Sequence, residues 1–271
     1  MNYHHSYHAG NFADVHKHVI LVALVRALQK KDTPFCYLDT HAGAGIYDLS
    51  DESAQKTGEY KNGIAKIWSV ENPLDLMADY LSCVRSFNPD GQLKYYPGSP
   101  AIVRYLLRPQ DRMILTERHD GEYQALKKHF RGDKQVAVHH QNGWQGLKAY
   151  LPFKERRGLI LIDPPYENND ELLQLPDYLA EALRRFETGV YAFWYPIKRS
   201  LRREAFYRDL KTKINRPVLL AEMKVMPEES FGGLCGSGMG IINPPWQFAV
   251  ELKDNWQELP SLPGITVQLY P

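Results

Sequence analysis

Leu159-Ile160-Leu161-Ile162-Asp163-Pro164-Pro165-Tyr166 is the stretch on which the fold turns. Four consecutive apolar residues, half of them β-branched, behind Arg157-Gly158 and ahead of two prolines, read as a short strand buried on both faces. Such strands belong to parallel sheets, and the surrounding sequence agrees. Similar runs occur at 35–38, 113–116, 136–139 and 190–194, another spans 238–242 and a last one lies near 265–269. Between them lie segments of helical period at 12–30, 122–130, 172–186 and 202–214, the first with Val15, Val19, Val22 and Leu28 on one side. This alternation predicts an α/β fold around a mainly parallel sheet. Residues 1–271 read as a single domain. Residues 49–93 interrupt the pattern with helical material at 64–68 and 74–87, and read as an inserted helical subdomain. An insertion after the first strand's loop would sit at the ligand-binding edge and form one wall of a substrate cleft.

Composition narrows the function classes. Hydrophobic residues at 44% and charged residues at 24% suit a soluble enzyme, and no apolar stretch reaches the length of a membrane span. Met1-Asn2-Tyr3-His4-His5 lacks the features of a secretory signal, so a cytoplasmic location is expected. Cys36, Cys83 and Cys235 are far apart and odd in number, and are expected as reduced thiols. A net charge of +1 leaves any nucleic-acid surface local. The best candidate is 198–213, with Lys198, Arg199, Arg202, Arg203, Arg208, Lys211 and Lys213 against Glu204 and Asp209. A run of this kind is ordinarily a solvated helix face. Lys154, Arg156 and Arg157 suggest that it continues as a basic rim.

Strand ends carry the chemistry. Asp39-Thr40-His41-Ala42-Gly43-Ala44-Gly45 follows the first strand with small residues where a ligand must approach backbone. It matches neither the dinucleotide fingerprint nor the phosphate loop, and alone it is no more than a turn. Glu117 closes the second strand, where a carboxylate can accept from both hydroxyls of a ribose. Asn142-Gly143 closes the third, and Asn142 can meet the amino group of an adenine ring, although Asn-Gly is also a common turn.

Asp163-Pro164-Pro165-Tyr166 closes the fourth and is the specific signal. The exocyclic N6 amine of adenine is a poor nucleophile because its lone pair is delocalised into the ring. A carboxylate oxygen from Asp163 and the carbonyl of Pro164, each accepting one N–H, push that nitrogen toward tetrahedral geometry and free the lone pair for a sulfonium methyl group. The two prolines stiffen the turn, and Tyr166 offers a ring for an extruded base. Asn243-Pro244-Pro245-Trp246 follows its own apolar run and offers the same device with a neutral acceptor. The order of ligand-type strand ends selects Asp163, and the second motif is expected to end an antiparallel edge strand in a structural or substrate-side role. The histidines at 4, 5, 8, 16 and 18 invite a metal, but there is no HExxH and few carboxylates accompany them, so no metal is expected. A pyrimidine C5-methyltransferase would need a Pro-Cys nucleophile loop, which is absent.

Several long motifs resemble one family over essentially the whole chain. They include Tyr3-x-His5-Ser6-x-His8-Ala9-Gly10-Asn11, Ala13-Asp14-Val15-x-Lys17-His18, Tyr37 to Gly45, Tyr95-Tyr96-Pro97-Gly98-Ser99-Pro100, Arg157 to Glu167 and Trp194-Tyr195-Pro196. The family is that of the RlmJ methyltransferases. The resemblance implies a Rossmann-like class I S-adenosylmethionine-dependent methyltransferase that modifies N6 of adenine 2030 in 23S ribosomal RNA and releases S-adenosylhomocysteine. It further implies that His18, His41, Ser99, Glu117, Asn142, Gly143 and Asp163 surround the cofactor, with Asp163 catalytic. Tyr3, His5 and Lys17 would lie on the side of the target base. Asn142 departs from the family's Asp at that place, keeping an acceptor oxygen but losing charge. The expected partner is 23S ribosomal RNA, with no membrane and no obligate protein partner, the chain acting as a monomer. Two other functions stay open: a DNA adenine-N6 methyltransferase, which would prefer duplex DNA as acceptor, and a noncatalytic RNA-binding assembly protein, which would fail to bind S-adenosylmethionine.

Overall fold

A computed structural model describes residues 4–167, 170–198, 203–226, 233–256 and 263–270. Helix α1 (Phe12–Gln29) starts at Asn11, whose side chain accepts from the Asp14 amide, and leads to strand β1 (Cys36–Asp39). Strand β2 (Ile46–Asp48), helices α2 (Glu52–Thr57), α3 (Ile64–Ile67) and α4 (Asp75–Ser86), and strand β3 (Tyr95–Pro97) follow, β3 returning antiparallel on β2. Helix α5 (Ser99–Leu106) then crosses to β4 (Arg112–Glu117), α6 (Asp120–His129) to β5 (Val136–His140), and α7 (Gly143–Tyr150) to β6 (Gly158–Ile162). Helix α8 (Asp170–Arg185) leads to β7 (Val190–Ile197) and α9 (Arg203–Lys213) to β8 (Val218–Lys224). Strand β9 (Gly236–Ile242), helix α10 (Phe248–Asp254) and strand β10 (Ile265–Tyr270) complete the order.

The main sheet runs β10-β8-β9-β7-β6-β1-β4-β5. From β5 to β7 every neighbour is parallel, while β9 is antiparallel to both β7 and β8, and β10 is antiparallel to β8. This is a Rossmann-like α/β sheet. The order of connection reverses between β1 and β6, which opens a crevice beyond their carboxyl ends. Alternation along β6 serves two cores: Leu159 and Leu161 join the cluster under α1, α4, α5 and α10, while Ile160 and Ile162 join that under α7, α8 and α9.

Three features differ from the sequence reading. Strand β9 is antiparallel as expected, but it lies between β7 and β8 rather than at an edge. Strand β8 is absent from the runs read above because Val218-Leu219-Leu220-Ala221 suits a buried helix as well as a strand, and periodicity cannot separate them. The β2–β3 hairpin has three residues on each side, too few for alternation to register.

Helix α1 is buried on nearly every side. Its apolar residues, among them Val15, Val19, Ile20 and Leu24, contribute about 1.5–3 kcal/mol each on burial, which offsets the cost of carrying His16, Lys17 and His18 inside. The three cysteines are buried and unpaired, and burial pushes the thiols of Cys36 and Cys83 up to about 12. Among the described residues no helix is long and apolar enough to cross a membrane.

Candidate active site

A cleft of about 1300 Å³ opens at the carboxyl edge of the parallel strands. Every site residue expected from sequence lines it except Tyr3, which lies outside the described residues.

The loop after β1 forms its floor. Asp39 is fully buried and accepts from the Tyr37 hydroxyl at 2.7 Å, the Ser99 hydroxyl at 2.7 Å and the His41 amide at 3.2 Å. Burial outweighs these donors and pushes its carboxyl up to about 6. Gly43, at φ +61°, gives its amide to Glu117 Oε2 at 2.8 Å, and the His119 amide donates to Glu117 Oε1 at 2.7 Å. Glu117 is thereby held with both oxygens on backbone donors, each oxygen retaining a lone pair for a further donor. Gly143 sits so close to the β1 loop that a Cβ would lie 2.1 Å from the Thr40 carbonyl oxygen. Asn142 caps α7, its Oδ1 accepting from the Trp144 amide at 2.9 Å. The His41 ring meets Trp144 edge-on at 5.3 Å, and burial pushes its imidazole down to about 4.

A charge network built on α1 forms the wall facing β6. Lys17 and Asp14 are one turn apart, which brings Lys17 Nζ to 2.8 Å from Asp14 Oδ1 and 2.5 Å from Asp163 Oδ2. Asp14 Oδ2 accepts from His5 Nε2 and from the Gly10 amide, each at 2.9 Å. Burial opposes the charges of Lys17 and Asp14. The two carboxylates nevertheless outweigh it at Lys17, whose ammonium is raised above its usual range, and His5 and Lys17 hold Asp14 well below its own. Burial also opposes charge on His5, and Asp14 raises it in spite of that.

Beyond Asp163 the turn is fixed at its far end. Tyr166 takes φ +49°, its hydroxyl donates to the Trp194 carbonyl, and its ring lies tilted 5.7 Å from that of Trp194. Pro164 and Pro165 line the cleft beside it. His18 is buried, its Nδ1 2.8 Å from the Tyr96 hydroxyl. Burial and the nearby Lys17 hold its imidazole well below the usual range, so it is neutral.

The structure also places residues to which sequence reasoning gave no role. Asp14, Asp39 and Tyr96 organise the site, and all three stand inside the motifs quoted above; what sequence lacked was any sign that they touch one another. Glu59 reaches the cleft from the segment between α2 and α3, binding His8 Nδ1 and Asn11 Nδ2 at 2.9 Å each.

Of the other expected residues, Lys198 reaches the cleft and several do not. Asn243 turns away at the opposite edge of the sheet, where its Nδ2 donates to the carbonyls of Glu187 at 2.9 Å and Gly189 at 2.8 Å, and Trp246 stands 83% exposed. Arg157 precedes β6 at that same far edge and is tied to the carbonyls of Leu28 and Thr33, so it forms no rim of the cleft. Of the basic run, Lys198 lines the cleft, Arg208 and Lys213 pair with acids including Asp209, and Arg199 and Arg202 lie outside the described residues. The histidines are dispersed: His16 faces Ser237 and Trp256, His5 faces Asp14, and His8 faces Glu59.

The profile of the family described as ribosomal RNA large subunit methyltransferase D, RlmJ, matches residues 32–261. The chain belongs to this family. It is 46% identical to ribosomal RNA large subunit methyltransferase J of Escherichia coli, over 94% of this chain and 91% of that one. It is 43% identical to the protein of the same name from Haemophilus influenzae, over 100% of this chain and 95% of that one. The crystal structure of protein LPL1258 from Legionella pneumophila superposes with a TM-score of 0.86 at 39% identity, covering 97% of this chain and 98% of the other. The RlmJ profile begins after α1, whereas the match to the Haemophilus influenzae relative extends across the whole chain and so takes in the helix carrying Lys17 and His18.

Proposed function

We propose that this RlmJ-family chain methylates the exocyclic N6 of one adenine of 23S ribosomal RNA, adenine 2030, with Asp163 as the catalytic residue. The observation that carries this reading is Asp163 itself. It stands at the carboxyl end of β6, inside the cleft, in a proline-stiffened turn whose next aromatic is pinned. S-adenosylmethionine, when bound, supplies a methyl group activated by its sulfonium. The cleft suits such a ligand on two counts: Glu117 offers acceptor oxygens to a ribose, and His18 keeps a buried nitrogen without a hydrogen-bond partner among the described residues.

In this reading the free oxygen of Asp163 and the Pro164 carbonyl accept the two N–H bonds of N6, orienting its lone pair toward the methyl carbon. Lys17 holds the other oxygen of Asp163, which fixes the carboxylate as an acceptor. As N6 would bond to the methyl carbon, that carbon's bond to sulfur would break with its electron pair leaving on the thioether S-adenosylhomocysteine, and one N6 proton, held by the free oxygen of Asp163, would be lost to solvent. Tyr166 supplies the stacking face, and His5, Lys17 and Tyr3 form the base side of the opening. Asn142, whose Oδ1 also caps α7, would meet the amino group of the cofactor's adenine through the remaining lone pair of that oxygen, with His41 and Gly143 closing the same end. Residues 49–93 act as a helical insertion whose Glu59 side walls the cleft.

The test is transfer of labelled methyl from S-adenosylmethionine to unmodified 23S ribosomal RNA, with nucleoside analysis of the product. N6-methyladenosine from the wild type, lost in Asp163→Ala, is the expected outcome. A preference for duplex DNA, or no methylated product at all, overturns the reading.

A further inference from the structure

The corner of the cleft between α1 and α5 holds an imidazole with one side accounted for and the other not. His18 Nδ1 meets the Tyr96 hydroxyl at 2.8 Å, and that hydroxyl lies 3.1 Å from the hydroxyl of Tyr80. All three side chains are buried, at 1%, 0% and 0% exposure. His18 Nε2 has no hydrogen-bond partner among the described residues, and His18 lines the cleft. His16 also has an unpartnered Nε2, but it packs against Trp256 and does not line the cleft. Glu122 Oε2 is likewise buried, unpartnered and on the cleft, so among the described residues His18 Nε2 is the unpartnered nitrogen, and Glu122 Oε2 the unpartnered oxygen, that a cleft ligand can satisfy.

Which kind of ligand atom it suits depends on a proton. A neutral imidazole carries one N–H, on either nitrogen. A phenol is the stronger acid of the pair and an imidazole nitrogen the stronger acceptor, so the Tyr96 hydroxyl donates to Nδ1 and the ring proton resides on Nε2. Tyr80 then donates to the Tyr96 oxygen, and the chain of donors runs in one direction toward the cleft.

The neighbouring groups say what should meet that donor. Lys17 is committed to Asp14 and Asp163, and Glu117 to the loop amides at the other end of the floor. Ser99, which opens α5, gives its own proton to Asp39 at 2.7 Å and so faces the cleft as an acceptor. A donor on one element and an acceptor on the next form the complement of a zwitterionic amino acid.

We propose that Tyr96, backed by Tyr80, is a positioning residue that fixes His18 as its Nε2–H tautomer, so that this corner binds the carboxylate of the amino-acid tail of the cosubstrate. The inference deepens the function proposed above and rests on it.

The experiment compares two thioethers by calorimetry on the full chain: S-adenosylhomocysteine, which has the tail, and 5′-methylthioadenosine, which lacks it. Tyr96→Phe removes the donor to Nδ1 with little change of shape. It should weaken S-adenosylhomocysteine by about tenfold or more, while 5′-methylthioadenosine stays within about twofold of the wild type. Tyr80→Phe leaves the Tyr96 proton in place and should keep both ligands within about threefold. Nitrogen-15 NMR of the histidine rings in the wild type should show the proton of His18 on Nε2. A proton on Nδ1, equal weakening of both ligands in Tyr96→Phe, or unchanged S-adenosylhomocysteine binding in that variant overturns the inference while leaving the proposed function intact. Failure of the wild type to bind S-adenosylhomocysteine at all overturns the proposed function and this inference with it.

Discussion

The chain contains two turns built alike, Asp163-Pro164-Pro165-Tyr166 and Asn243-Pro244-Pro245-Trp246, each directly after an apolar strand. The first ends a parallel strand and so opens at the carboxyl edge of the sheet; the second ends β9, which runs the other way, and so opens at the opposite edge. Asp163 faces a buried ammonium, and Tyr166 is 9% exposed with its hydroxyl engaged. Asn243 spends its amide as a donor to two backbone carbonyls, and Trp246 stands in solvent. The difference teaches that strand direction, rather than the four residues, decides which turn can meet a ligand.

The largest expected effect lies at the first turn. Asp163→Ala should lower methyl transfer to 23S ribosomal RNA by about a thousandfold while the thermal melting curve stays cooperative, since one preorganised acceptor is worth that order of rate. Asn243→Ala should leave the rate constant near that of the wild type. The reverse pattern in folded protein would break the comparison.

Acid should strike the cleft half of the molecule first. Burial holds His16 down to about 3 and His41 down to about 4, and His18 well below its usual range. The stability tied to these neutral rings is complete above about pH 6.5 and is lost as pH falls, because the unfolded chain binds the protons. Asp39, pushed up to about 6, works the other way, its cost fading as pH falls from 6 toward 4. From these four groups alone the net is about two protons, a contribution of roughly 2–3 kcal/mol per pH unit between pH 6 and 4.5. Urea unfolding at stepped pH measures it, and His16→Asn should remove about one proton. A flat profile would mean that these rings are solvated.

The two aromatics sharpen the contrast. Tyr166→Ala should cost about 1–3 kcal/mol of transition-state stabilisation, read from kcat/KM with the RNA. Trp246→Ala should move neither rate nor stability by more than about 0.5 kcal/mol. The smallest catalytic effect goes with a measurable structural one: Asn243→Ala leaves two carbonyls without their donor and should lower unfolding free energy by about 1–2 kcal/mol in urea. A Trp246→Ala enzyme impaired only on RNA would give the second turn a role in substrate contact.

Much of this was legible in the sequence where local chemistry and position coincide. The parallel strands at 35–38, 113–116, 159–162 and 190–194 declare themselves because a strand buried on both faces has no polar alternation to confuse it, while the half-buried edge strand at 136–139 shows as a short apolar run. The ligand-type residues at their ends followed from that order. Strand β8 did not, since its apolar run fits either element, and the interior place of β9 did not, since neighbour order is set by contacts far apart in sequence. Within the cleft, single residues could be named but not their partners. Nothing local says that Lys17 reaches Asp163, 146 positions away, or that Tyr96 meets His18, 78 positions away. Such pairs exist only once α1 is laid against the sheet.

That helix has a practical consequence for anyone moving this chemistry to another scaffold. His16, Lys17 and His18 are consecutive, yet they point to Ser237, Asp163 and Tyr96, three separate parts of the molecule. A graft that keeps the four-residue turn, the glycine loop and even the whole profile-matched segment would still arrive without the counter-cation of its carboxylate. Transplanting α1 one residue out of phase would turn all three side chains through about 100° and lose the three contacts at once. The smallest portable unit of this enzyme is a helix and a turn together, from opposite halves of the chain.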